Sequence, residues 1–138
     1  MSFTLQGGFA NIKDILRIVR SLYAIESVNP EIFEGLVEYM VQKGYDHDDF
    51  VDMGLSKSVT LINNIIMSNP KISNVNFMIH VITFVKRNIN DFNRIQLARL
   101  VDTFKLHEKL KTEEEMLNAL EERLLVKRDE KQNKLKKR

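Results

Sequence analysis

The stretch Asn11-Ile12-Lys13-Asp14-Ile15-Leu16-Arg17-Ile18-Val19-Arg20-Ser21-Leu22-Tyr23, followed by Asn29-Pro30-Glu31-Ile32-Phe33-Glu34-Gly35-Leu36-Val37, decides the fold class. Ile12, Ile15, Val19 and Leu22 return at steps of three and four, which puts them on one face of an α-helix. Asn11 stands where an N-cap belongs, and the period predicts a helix to about Ser27. Asn29-Pro30 then punctuates the chain: Asn caps, and Pro takes the first helical position, where its missing N–H costs nothing. Phe33, Leu36, Val37, Met40 and Val41 give the next helix its face, and Gly44 reads as the left-handed residue that ends it. So short a turn predicts an antiparallel pair.

The same grammar continues. After the polar run Tyr45-Asp46-His47-Asp48-Asp49, a shorter helical piece around Phe50–Met53 breaks near Gly54. Ser56 or Ser58 is expected to open a third main helix through Leu61, Ile62, Ile65 and Ile66, which stops at Asn69-Pro70. A fourth begins at Ser73 or Asn74 and carries Phe77, Met78, Val81, Ile82 and Val85 to about Ile89. Ile79 and Phe84 make that helix apolar on more than one side, the pattern of a middle helix flanked on both. Asn90 or Asp91 is expected to open a fifth, with Ile95, Leu97, Leu100, Val101 and Phe104. Thr112-Glu113-Glu114-Glu115 reads as a capping box for a sixth, whose face is Met116, Leu117, Leu120, Leu124 and Leu125.

Residues 11–44, 48–89 and 91–126 thus each read as helix, break, helix. Ile18-Val19 corresponds to Leu100-Val101, Leu22 to Phe104 and Phe33 to Met116, an offset of 82 to 83 residues, or two units of about 41. Helix pairs of that period are the signature of stacked repeats. The expectation is an all-α chain: a short α-solenoid of about three antiparallel helix pairs, six main helices, with a basic C-terminal helical extension. A compact six-helix bundle is the alternative. The organisation follows as an N-terminal segment 1–10, a helical-repeat domain 11–126 and a basic tail 127–138.

Composition bounds the chemistry. The chain has 138 residues, no Cys, three His, five Gly and two Pro. That leaves no thiolate metal site and no cysteine nucleophile, and little material for a His-based catalytic centre. Gly7-Gly8 lacks the Gly-Lys-Ser/Thr of a phosphate loop. Asp46-His47-Asp48-Asp49 is the densest polar cluster, but adjacent residues do not all point at one ion, so it reads as a solvated inter-helix loop. His80 reads as a hydrogen-bonded or partly buried histidine, and His107 as a helix-end residue that suits the C-terminal dipole. The reading is a non-enzyme with no catalytic, cofactor-binding or metal-binding residue. No apolar run approaches the ~20 residues that span a bilayer, so no membrane insertion is expected. The first 23 residues have the amphipathic basic character of a transit peptide, but they also fit the repeat as a first core helix.

Charge is unevenly shared. From Leu124 to Arg138 seven basic residues (Lys127, Arg128, Lys131, Lys134, Lys136, Lys137 and Arg138) face only Asp129 and Glu130, while the body is mildly acidic. Such an arm suits phosphates in RNA or an acidic protein surface. Lys13, Arg17 and Arg20 lie at i, i+4 and i+7 on the first helix and are candidates for the same basic track. Lys86 and Arg87 read as residues that balance a helix dipole, and Arg94 and Arg99 mark the fifth helix. Phe9, Phe33, Phe50, Phe77, Phe84 and Phe104 fit core positions rather than stacking platforms for bases.

The run from Ile15 to Ile25, the cap that follows and Ile32-Phe33-Glu34-Gly35-Leu36-Val37 together resemble a unit of the organellar helical-repeat proteins of the octotricopeptide, heptatricopeptide and related RAP type. Gln96-Leu97-Ala98-Arg99-Leu100-Val101-Asp102-Thr103-Phe104 is similar to the first-helix pattern of those repeats. The resemblance implies an organellar, mitochondrial setting and a role in binding RNA or building a ribonucleoprotein. The expected function is a non-catalytic subunit of a mitochondrial ribosome, docked through helix faces, with its basic tail on rRNA and neighbouring protein subunits around it. The alternative is a protein–protein adaptor or accessory subunit without nucleic acid, cytoplasmic if not organellar.

Overall fold

The computed structural model describes residues 11–25 and 29–136, with side chains through Lys127. Seven α-helices follow one another: α1 (Ile12–Tyr23), α2 (Glu31–Gln42), α3 (His47–Met53), α4 (Leu55–Ser68), α5 (Val75–Asn88), α6 (Arg94–Leu106) and α7 (Glu114–Lys136), with a 3₁₀ turn at Leu110–Thr112 between the last two. The described residues contain no strand, so the chain is all-α. The segment 1–10 and Ser27 lie outside the described residues, and α1 ends at Tyr23.

Local chemistry explains most of the boundaries. Asn11 caps α1 by accepting from the N–H of Asp14, whose carboxylate returns to the Asn11 N–H, a reciprocal capping box. The Asn29 side chain accepts from the Glu31 N–H ahead of α2. Gly44, at φ +79°, takes the left-handed turn that closes α2.

Three expected helix starts are displaced. The cap of α6 is Asn93 rather than Asn90 or Asp91, because Gln96 three residues on returns the bond to the Asn93 N–H at 2.9 Å and Phe92 is drawn into the core before the helix begins. α4 starts at Leu55 rather than after Ser56 or Ser58: Gly54, at φ +108°, turns α3 into α4 in one residue. Ser58 is instead buried, its hydroxyl donating to the Phe50 carbonyl. The Thr112 hydroxyl donates to the Lys109 carbonyl at 2.6 Å within the 3₁₀ turn, so it does not cap α7, which begins after Glu113. The piece at Phe50–Met53 is a capped helix in its own right, α3, which raises the count from six to seven.

The helices meet in two rows. α1 packs on α4, α4 on α6 and α6 on α7; α5 packs on α2 and α3, and α3 also touches α1 and α4. The apolar faces read from the periods are the ones buried: Ile15 and Val19, Phe33 to Met40, Leu61 to Ile66, Phe77 to Val85 and Leu97 to Phe104 contribute to one continuous cluster. Phe84 is its hub, edge-on to Phe50 at 5.5 Å and to Phe92 at 5.6 Å. α1 is therefore a core helix, with Ile15, Leu16 and Val19 buried. α7 is about 35 Å long at 1.5 Å per residue. Among its described side chains, Met116, Leu117, Leu120 and Leu124 pack on the core, and Leu125 and Val126 are exposed. No helix among the described residues is long and apolar enough to cross a membrane.

Candidate nucleic-acid interface

The row of helices in mutual contact is also where the basic side chains collect. α1, α4 and α6 carry seven Lys and Arg (Lys13, Arg17, Arg20, Lys57, Arg94, Arg99 and Lys105) against Asp14 and Asp102. α2 and α3 carry six acids and no Lys or Arg. α5, in the row of α2 and α3, carries Lys86 and Arg87 and no acid, and Lys105 is paired with Glu121 of α7 at 3.3 Å, so charge is divided unevenly among the helices rather than cleanly between the rows.

The candidates among the described residues have defined places. Lys13, Arg17 and Arg20 are exposed along α1, with Arg17 3.7 Å from Asp14 in a weak surface pair. Arg94 and Arg99 are exposed on α6. Arg99 leans over α4 to donate to the Thr60 hydroxyl at 3.1 Å, which presents the α6 guanidinium beside the polar strip Ser56, Thr60 and Asn63 of α4. Lys127 is half-buried near the end of the packed part of α7. Arg128, Lys131, Lys134 and Lys136 continue the α7 backbone with side chains outside the described residues, and Lys137 and Arg138 lie outside them altogether. The five described phenylalanines among the expected core set are buried; Phe9 is outside the described residues.

A second feature joins the helices: polar ties recur at nearly one interval. Asn69 Nδ2 donates to the Pro30 carbonyl at 3.1 Å, 39 residues back, and the Ser73 hydroxyl reaches Glu34 at 3.2 Å, also 39 back. Arg99 to Thr60 spans 39, while Asn63 to Thr103 at 3.0 Å and Arg87 to His47 at 2.9 Å each span 40. The backbone continues the series, with the Glu108 N–H donating to the Pro70 carbonyl as Asn69 does to that of Pro30. Asn29 and Asn69 each accept from the N–H two residues on, at Glu31 and Lys71, so the two Asn-Pro steps share a local turn, although the first leads straight into α2 and the second ends α4.

Among the described residues no three His, Asp or Glu side chains gather on a metal position. The Asp46–Asp49 run is not a solvated loop: Asp46 caps α3 through the N–H groups of Asp48 and Asp49, and Asp49 returns the bond. Burial alone would raise the Asp46 carboxyl, but those N–H groups, with His47 and His80 nearby, hold it below its ordinary value. Arg87 approaches His47 Nε2 at 2.9 Å, and the His47 ring lies 5.8 Å from that of His80.

No protein-family model, curated protein or solved structure matches this chain.

Two features had little sequence signal. His107 is at the end of α6 as expected, but it is fully buried there, and burial pushes its imidazole down toward the neutral form. Which helices share a row was the other, because it depends on contacts between residues about 40 apart.

Proposed function

We propose that this chain is a non-catalytic α-solenoid subunit of an organellar ribonucleoprotein, a mitochondrial ribosome being the assembly that fits best. The repeat reading draws its support from the ties at 39 to 40 residues and from the two capping boxes at Asn11 and Asn93, 82 residues apart. Each unit of such a stack is an antiparallel helix pair, with α1, α4 and α6 as equivalent first helices and α3 as an insertion. The observation that carries the RNA reading is the concentration of seven basic side chains on those three helices, continued by the basic end of α7. A polyanion that neutralises this row meets mainly phosphate-binding groups, with Tyr23 of α1 the exposed aromatic beside Arg20, which suits rRNA backbone contacts more than base reading.

The test is binding of a structured RNA to the full chain over a series of salt concentrations. Removal of Lys134, Lys136, Lys137 and Arg138 weakens binding and flattens its dependence on salt. Binding unchanged by that removal at every salt concentration would defeat the tail's role, and no binding by the intact chain would defeat the reading as a whole. A second reading, a protein–protein adaptor, is favoured by one observation, the open apolar flank of α5. It predicts partners that survive RNase in a pull-down from organelle extract.

A further inference from the structure

The turns at one end of the molecule are tied in series, and His107 is the tie that leads to α7. The turn before α5 reaches back to the start of α2, through Asn69 on the Pro30 carbonyl and Ser73 on Glu34. The turn from α6 to α7 reaches back to that one by two bonds. The Glu108 N–H donates to the Pro70 carbonyl at 3.2 Å, and His107 Nε2 meets the carbonyl of Ile72. His107 also organises its own turn. The N–H groups of Lys109 and Leu110 both donate to its Nδ1 at 3.1 Å, which sets Leu110 into the core just ahead of α7. Around that one buried side chain, Glu108, Lys109, Lys111, Thr112 and Glu113 are all exposed. A segment held by so few buried contacts is drawn from the low-stability end of a fold.

A ring nitrogen that accepts two N–H groups carries no proton of its own, so the closed turn needs a neutral imidazole. A proton at Nδ1 would set N–H against N–H in a fully buried site, while the donation from Nε2 to Ile72 would survive. The charges that reach the ring are divided. Lys109 of its own turn opposes the proton, and Glu108 beside it and Glu34 on α2 favour it. Lys71 ahead of Ile72, Lys105 on α6, and Lys111 and Glu113 on the approach to α7 are exposed, and α5 has Lys86 and Arg87 in its last turn, at the far end. Burial outweighs the two carboxylates and holds the closed ring below its ordinary value. We infer that His107 is a proton-operated clasp: a proton at Nδ1 frees the N–H groups of Lys109 and Leu110, and the turn at 108–112 opens with the first turn of α7 while the core stays packed. α7 remains joined through Leu120 and Leu124. Nothing in this depends on RNA binding.

The two states fix the sign. Above about pH 6.5 the ring is neutral in both and the turn stays closed. As the pH falls below that, the open turn takes the proton first, and the opening constant rises by up to about tenfold per pH unit until the lowered value of the closed ring is passed. The experiment follows amide hydrogen exchange and the His107 ring signals of the full chain by NMR between pH 5 and 8. Exchange at Lys109, Leu110 and Leu117, corrected for its intrinsic dependence on pH, speeds up by that factor as the pH falls, and low concentrations of urea leave it unchanged. The amides of Leu61 to Ile66 in α4 stay at least about tenfold better protected and respond to urea, as amides that need global unfolding do. In His107→Gln, which does not titrate, exchange in the turn no longer follows pH. Exchange in the turn that matches α4 in both rate and urea response overturns the inference, because the whole chain then unfolds at once. So does a pH response that survives in His107→Gln, or a turn that stays closed while the ring titrates. The wild-type comparison of the turn with α4 decides the matter even where the variant does not fold.

Discussion

The Nε2–H of His107 donates to the carbonyl of Ile72 across 2.7 Å, joining the end of α6 to the turn before α5. On the other side of the ring, Nδ1 accepts the N–H groups of Lys109 and Leu110, each at 3.1 Å. Both nitrogens are therefore committed, one as donor and one as acceptor, and this arrangement holds only for a neutral imidazole. Protonation at Nδ1 would face two N–H groups with a third donor in a fully buried site.

The pH dependence follows with a definite sign. His107 has its imidazole held below the ordinary value of 6.5, first by burial, so the unfolded chain takes up its proton first. Its contribution is complete above about pH 6.5, falls as pH drops below that toward the lowered folded value, and levels off beneath it. Urea unfolding between pH 5 and 8 shows this fall for the wild type. His107→Phe is less stable by about 2–4 kcal/mol at pH 8, because Ile72, Lys109 and Leu110 lose their partner. The gap between the two chains narrows as the pH falls; a gap that stays constant would mean that the ring is not neutral when folded.

Phe84 holds three elements at one point through its edge contacts with Phe50 and Phe92. Phe84→Ala is expected to cost about 3–5 kcal/mol, read as a shift in the urea midpoint. Phe84→Leu is expected to recover most of it, since the site demands volume before ring geometry.

Capping is measurable at two positions of different context. Asn93→Ala removes an exposed reciprocal box from α6 and Asp46→Ala removes a half-buried one from α3. Each is expected to cost about 1 kcal/mol in thermal or chemical unfolding. The two add when combined, because they sit on helices that do not form one of the packed pairs.

The basic face of α1 and the acidic face of α2 predict opposite effects. Arg17→Glu with Arg20→Glu, both exposed on α1, lowers RNA affinity and reduces the steepness of its salt dependence by about one for each phosphate left without its basic partner. Glu31→Gln with Glu38→Gln, exposed on the acidic α2, leaves that steepness unchanged and raises affinity slightly at low salt. Equal responses from both pairs in a titration would argue against a directed surface.

Helix type, helix faces and most of the core belong to the sequence itself. Phe33, Leu36, Val37 and Met40 recur at helical steps and are buried because a three- or four-residue step has only one geometric meaning. The Asn11 cap, the left-handed Gly44 and the punctuation at Asn29-Pro30 are equally local, since each depends on atoms within a few residues. The tertiary structure alone decided what spans units. Asn93 prevailed over Asn90 and Asp91 because Phe92 had a place in the core beside Phe84. His107 became a neutral buried bridge because Ile72 comes to meet it from 35 residues away. α5 was left open at Val75 and Ile79 because α7 follows α6 instead of closing over it. A period along the chain records the side a helix will bury. Which neighbour buries it, and whether any does, depends on where the turns deliver the next helix.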